Sequence, residues 1–511
     1  MYSNLRYRFL YMKKTGILLL LLFIGLFLPS CRPQEGQSAQ SVLVHINFPK
    51  DIAPGPVLFR YLDNGETFRL NPSSSDGTFM LKGEGGALRS LAAVYPADAA
   101  VSFANGRLYF EIPPEQTGTL SPLLYATAEV SPGYEATDMT LTPLYRVLQA
   151  DLGRTPFSLR TIDLVPSDGS LLSGRAWVEL STGKRGASQS KITVTPEEPL
   201  DCRPPGTTLS VMVPDPSVPI SAVLTFTDGT KFPIQDLAAY SKLINTPYTL
   251  GTSLAINSSQ NETNISRIPA AGIRWVEVTC NSFWRNIPEA EWNWRARNIQ
   301  QLLKDYGLKV WSCHLPYSGT MDISVLDDAK RAENLAVFKR IIRLCGELYQ
   351  PQRLVLHPSS EPISDAERPR RLENAKASIK ELAPVAKEIG AVLCVENLPR
   401  TCLGRVTEEM KELIAETPDV MVTFDTNHLL IESHEKYFDE LGDRIGNIHV
   451  SDYDRIDERH ALPGNGVIDW PYIHWRLRLS GYNGIFMYEV KASAGKPADL
   501  IMRYNNVIFG E

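Results

Sequence analysis

Cysteine is scarce in this chain, with 7 among 511 residues and no CxxC pair. That spacing suggests neither a zinc knuckle nor a disulfide scaffold. Cys280, Cys313 and Cys394 sit in strand-like runs and read as small buried apolar residues. A glycine-rich phosphate loop is also missing, because Gly464-Asn-Gly466 precedes a helix without the flanking strand such a loop needs. Positive charge is not in excess. The formal net charge is -6, and residues 1–30 hold four basic groups and no acid, so the remainder carries about -10. An acidic body offers no general attraction to nucleic acid, and no nucleic-acid partner is expected. No cluster of Lys and Arg stands out to hold a phosphorylated substrate. With 43% hydrophobic and 22% charged residues, the chain reads as folded and long enough for two or three domains.

The N-terminus has the features of a targeting segment. Lys13-Lys14 precedes an almost purely apolar run over 17–28, and Leu28-Pro29-Ser30-Cys31 follows. About twelve apolar residues are short for a membrane span and fit a signal h-region. The ending resembles the lipobox of bacterial lipoproteins, with Met12 as a plausible start. That resemblance implies removal of 1–30, a lipid on Cys31, a tether over 31–40, and export to the outer membrane of a Gram-negative bacterium. The alternative is an ordinary signal peptide with a chance cysteine.

From 41 to 235 helical periodicity is scarce. Short runs such as SVLVHINF, GRLYFEI, KITVTP and SAVLTFT are separated by turn signals such as Asp63-Asn-Gly and Ser75-Asp-Gly. The pattern predicts a β-sandwich, or two small ones divided near 150. The layout resembles the fimbrillin-like domains of surface proteins from Bacteroides-type bacteria, which implies a spacer, an adhesion module or a platform. Residues 236–248 are expected to be a linker.

After that the pattern changes to alternating strands and helices. Strands are predicted over 249–256, 273–280, 308–314, 353–357, 391–396, 420–425, 445–450 and 485–490. Helices are predicted over 289–306, 327–349, 366–390, 406–416, 434–441, 470–479 and 497–504, with a short helical stretch before 271. Eight strands, each followed by a helix, predict a closed (β/α)8 barrel over 249–511.

Four residues end the later strand runs: Glu396 in AVLCVEN, Asp425 in VMVTFDTNH, His449 in IGNIHVSD and Glu489 in IFMYEV. Three carboxylates and an imidazole from successive strand ends suit a divalent cation, and in one barrel they would meet at the C-terminal face. His314 and His357 end the third and fourth runs and point by position toward the same mouth. Asp452 and Asp454 read equally as loop caps and as catalytic groups, and Trp311 and Trp470 equally as core and as walls of a sugar pocket.

Several motifs occur in order on these runs: Cys313-His-Leu-Pro, Leu356-His-Pro, Val395-Glu-Asn, Phe424-Asp-Thr-Asn-His428, His449-Val-Ser-Asp452, His460 with Pro463 to Trp470, and Tyr488-Glu489-Val. With them, residues 249–507 resemble the xylose isomerase-like TIM barrel superfamily. The resemblance implies one divalent metal (Mn, Co or Zn) on Glu396, Asp425, His449 and Glu489. It further implies that Glu396 and Glu489 are the acid/base pair of a sugar isomerase or epimerase, working through a metal-stabilised enediolate on a small sugar or glycoside. His428 and Arg455 match positions that contact substrate. The endonuclease IV branch implies a different outcome with three zinc ions. There His314, His357 and Glu396 hold one ion, the quartet a second, and His428, His460 and Glu458 the third, with Glu458 replacing an aspartate. That zinc-dependent phosphodiesterase is the alternative, together with a carbohydrate lyase or a carbohydrate-binding surface protein.

Overall fold

The computed structural model describes residues 41–509, apart from 84–86, 118–121, 134, 154, 156, 203–206 and 255–259. The signal, the tether and Cys31 lie outside the described residues. Among the described residues, no helix is long and apolar enough to cross a membrane.

The chain forms two compact units, one of residues up to 97 with 126–141, the other of 98–125 with 142 onward. In the first unit, strand Ser41–Asn47 buries alternate residues Val42, Val44 and Ile46 and lies between Thr78–Lys82 and Thr137–Thr140. Val57–Tyr61 alternates in the same way within a second sheet, between Thr67–Leu70 and Arg89–Tyr95. The period of two puts one apolar face on each sheet. Phe59 and Phe79, one from each sheet, meet edge to face at 5.1 Å.

The β portion of the second unit includes Leu159–Pro166 paired antiparallel with Ile220–Phe226, and Arg107–Ile112 paired with Gly174–Glu179. The region expected to be all-β is therefore rich in strands, arranged in several sheets. Residues 236–248, expected to be a linker, carry a helix, Leu237–Ile244, which Asp236 caps by accepting from Ala239 N at 2.9 Å. Leu237, Tyr240 and Ile244 share one buried face, and Trp475 donates through Nε1 to Tyr240 Oη at 3.1 Å. The spacing of three and four makes this short segment amphipathic, so it packs rather than spans.

The remainder is a parallel eight-stranded barrel. Its strands are β1 (Leu250–Ser253), β2 (Trp275–Thr279), β3 (Lys309–His314), β4 (Arg353–Leu356), β5 (Val392–Glu396), β6 (Met421–Asp425), β7 (Ile445–His449) and β8 (Phe486–Tyr488). Neighbours in sequence are neighbours in the sheet, and β8 returns to β1. Closure between β7 and β8 is made just beyond β7, where Val450 N donates to Met487 O at 2.8 Å and Glu489 N to Val450 O at 3.0 Å. Helices follow the strands in the expected places, from Glu289–Asp305 after β2 to Pro497–Arg503 after β8.

Towards the N-terminal ends of the strands, Trp311 packs with Ile485, Met487 and Trp275. Trp311 Nε1 donates to Asn447 Oδ1 at 2.8 Å, which makes this ring core rather than a sugar-pocket wall. A Cβ on Gly251 would come within 2.6 Å of Ile485 Cγ2, so glycine lets β1 close against this plug.

Candidate active site

Six candidate ligands stand at the carboxyl ends of six strands. His314, Glu396, Asp425 and His449 are the last residues of β3, β5, β6 and β7, and His357 and Glu489 follow β4 and β8 directly. A parallel barrel gathers such residues at one face. Ligand atoms of Glu396, Asp425, His449 and Glu489 lie within 4.8 Å of one another, and all four residues are buried. His449 Nδ1 is 2.8 Å from Glu396 Oε1 and 3.1 Å from Glu489 Oε2.

Two oxygens test whether a cation belongs among them. Glu396 Oε2 and Asp425 Oδ2 are buried and, among the described residues, accept no hydrogen bond. His314 and His357 bring Nε2 to 3.3 and 3.0 Å from Glu396 Oε2, and His428 brings Nδ1 to 3.5 Å from Asp425 Oδ2, without the alignment of a hydrogen bond. Bare carboxylate oxygens inside a protein are costly. A divalent cation would satisfy both, and the mixed oxygen and imidazole donors suit Zn, Mn or Co. The residues fit a metal.

The electrostatics of the cluster follow from burial and crowding. Burial pushes the Asp425 carboxyl up to about 7, His428 opposing and the charges of Glu489 and Glu396 adding to it. Burial alone would lower His449, but the carboxylates of Glu277, Glu489 and Glu396 raise it well above the ordinary imidazole range. Burial also disfavours the Glu396 charge, yet His449, His357 and His314 together hold that carboxyl well below its usual range.

Two residues not singled out from sequence organise the cluster. Asn397 donates through Nδ2 to Asp425 O at 3.0 Å and accepts from Asp425 N at 2.7 Å. Glu277, in the middle of β2 and fully buried, lies 3.0 Å through Oε2 from His449 Nε2. A carboxylate between two apolar neighbours in WVEVT was the available signal for Glu277.

A second group adjoins the first. His428 Nε2 lies 3.0 Å from Glu458 Oε2, and His460 Nε2 3.9 Å from the same oxygen. Glu458 is therefore within hydrogen-bond distance of His428 and only near His460. Its other oxygen accepts from Arg400 Nη2 at 3.0 Å, and Arg400 also donates to Asp457 Oδ1 at 2.7 Å. Arg455 is placed elsewhere. It is exposed, with φ +63°, in a left-handed turn beside Tyr453 and His434, and it does not line the cavity; Arg400 does.

The cavity above the quartet has a volume of about 320 Å³ and is lined by Tyr317, His357, Arg400, His428, His460 and Glu489 among others. Asp452 stands outside that lining as a loop cap: it accepts from Gly464 N at 2.8 Å and from Trp470 Nε1 at 2.9 Å. Asp454 plays the same part for Ile456 N and Asp457 N at 2.9 and 3.1 Å. A Cβ on Gly466 would meet Tyr453 O at 2.2 Å, so this loop requires glycine there. Trp470 is 1% exposed and belongs to the core.

The family model described as xylose isomerase-like TIM barrel matches residues 265–504. The 3-dehydro-D-guloside 4-epimerase of Escherichia coli (strain K12) is 23% identical over 222 residues, covering 39% of this chain and 79% of that protein. The inosose dehydratase of Lacticaseibacillus casei is 28% identical over 145 residues, covering 24% of this chain and 48% of the dehydratase. Among solved structures, a D-tagatose 3-epimerase-like protein matches with a TM-score of 0.44 at 20% identity, over 51% of this chain and 98% of that one. Residues 265–504 form a xylose isomerase-like TIM barrel.

Proposed function

We propose that the barrel is a metal-dependent sugar isomerase or epimerase that works by proton transfer beside a carbonyl. The observation that carries this reading is the shared approach of Glu396 and Glu489 to His449 Nδ1, at 2.8 and 3.1 Å, beneath the cavity. The relatives named for sugar epimerisation and inosose dehydration support a sugar-modifying enzyme. A volume of about 320 Å³ is near the lower end for small-molecule sites and suits one sugar ring or open chain.

Glu396, Asp425, His449 and Glu489 would hold the cation. When bound, it supplies positive charge beside the substrate oxygens, which makes a neighbouring C–H bond more acidic. One of the two glutamates then takes the proton from carbon, leaving an enediolate. The same glutamate giving that proton to the adjacent carbon, with the hydroxyl proton passing from one oxygen to the other, gives isomerisation; the other glutamate, protonated at the outset, giving its own proton from the opposite side gives epimerisation and leaves the first one protonated. Tyr317, His357 and Arg400 border the space in which the sugar hydroxyls would lie. Burial of the quartet excludes bulk water and strengthens every charge interaction there.

The test is incubation of the protein, loaded in turn with Mn, Co and Zn, with free ketoses and oxidised glycosides in deuterated water. Metal-dependent incorporation of deuterium at the carbon beside the carbonyl is expected. No incorporation with any substrate, together with three bound zinc ions and cleavage of abasic DNA, would replace this reading. That second reading is kept because His428, Glu458 and His460 form a group able to hold a further ion beside the quartet. We also propose, from the sequence around Cys31, that the protein is an exported lipoprotein of the outer membrane, so that its substrates are sugars met outside the cytoplasm.

A further inference from the structure

We propose that Glu277 is a positioning residue that fixes the tautomer of His449, aiming the Nδ1 lone pair at the cation site. The assignment rests on the metal reading of the proposed function.

Glu277 lies in the middle of β2, and its side chain is fully buried with no share in the cavity lining. A charge in that place needs donors on every side. Ser253 Oγ donates to Oε1 at 2.7 Å, Ser312 Oγ donates to Oε2 at 2.7 Å, and His449 Nε2 stands 3.0 Å from Oε2. The two hydroxyls come from β1 and β3, the strands on either side of β2. A carboxylate already accepting from both has only acceptor capacity to offer the imidazole. His449 must therefore donate from Nε2.

A cation bound at Nδ1 would take the place of a proton there, leaving the imidazole neutral with its one proton on Nε2. Nδ1 faces Glu396 at 2.8 Å, Glu489 at 3.1 Å and Asp425 at 3.9 Å, which is the side on which the unsatisfied oxygens lie. The opposite tautomer would point a proton at the cation and a lone pair at a carboxylate, so it is disfavoured twice. A carboxylate behind a ligating histidine also makes the imidazole a stronger donor to the metal. Glu277 lies outside the cavity lining and touches the candidate cation site through His449.

The test compares the metal-stripped full chain with its Glu277→Gln variant, titrated with zinc by calorimetry. The variant is expected to bind the quartet's ion roughly 10- to 100-fold more weakly. Equal affinity would overturn the assignment. A wild-type chain that takes up no ion would overturn the metal reading itself, and this assignment with it. Should the variant fail to fold, nitrogen-15 NMR of histidine-labelled, zinc-loaded wild type still decides. The expected signature for His449 is a protonated Nε2 and a metal-bound Nδ1; zinc on Nε2, or Nε2 without a proton, would overturn the proposal.

Discussion

Asn397 holds Asp425 by both of its backbone groups, accepting from its N–H at 2.7 Å and donating to its carbonyl at 3.0 Å. A side-chain amide thus stands in for a strand partner at the point where β5 and β6 stop pairing. Asn397 is fully buried, and its own carbonyl lies 2.9 Å from His428 Nδ1. One residue therefore sets the placement of two candidate ligands.

Replacing it should disturb the site more than the fold. Asn397→Ala removes two buried hydrogen bonds and should cost about 1–3 kcal/mol of stability. Bound metal should fall in parallel. Thermal melting and metal analysis on the same preparation check both parts, and a variant with normal metal content would contradict the role given to Asn397.

The glutamate pair can be tested separately from metal binding. Glu396→Gln and Glu489→Gln each keep a ligand oxygen but remove a proton acceptor. Each should lower exchange of the substrate C–H with solvent by about 10²- to 10⁴-fold. Metal content measured beside the exchange rate distinguishes loss of the base from loss of the ion.

A pH dependence follows from Asp425, whose carboxyl burial pushes up to about 7 from an ordinary value of 3.8. A raised carboxyl stabilises the metal-free protein at low pH, and that contribution is lost as pH rises through the folded value. Asp425→Asn imitates the protonated form. The metal-free variant should therefore melt higher than metal-free wild type at pH 8, with the gap closing towards pH 5. Metal has the reverse dependence, because ligands must shed protons to bind it. Zinc affinity of wild type should rise from pH 6 to pH 8, with proton release visible as a buffer-dependent heat.

Lipidation is a prediction from the sequence around Cys31. Radiolabelled palmitate should enter the wild-type protein in a Gram-negative host, and Cys31→Ser should abolish labelling and release the protein from the membrane fraction. Labelling that persists in the variant would overturn this site.

Much of the barrel was legible because its signals are local. Each buried parallel strand is a short apolar run, and each helix has its own period, so the eight strands and their order could be read directly. Glu396, Asp425, His449 and Glu489 were legible for the same reason: a polar residue ending an apolar run sits at a barrel mouth. Glu277 was not, since mid-strand it has no terminus to mark it, and only Ser253 and Ser312 on neighbouring strands reveal how its charge is carried. Arg455 was expected in the pocket and Arg400 found there. Which arginine reaches the cavity depends on where long loops fold, and sequence spacing does not encode that.

The amino-acid sequence by itself determined the strand-and-helix alternation and the chemical identity of the candidate ligands, because periodicity and side-chain chemistry are properties of short segments. Only the tertiary structure decided which of those candidate ligands share one oxygen, that Leu237–Ile244 packs as a helix, and that Glu277 stands behind His449. These are contacts between residues as far apart in sequence as Glu277 and His449, and closure of the barrel is what brings them within hydrogen-bonding distance.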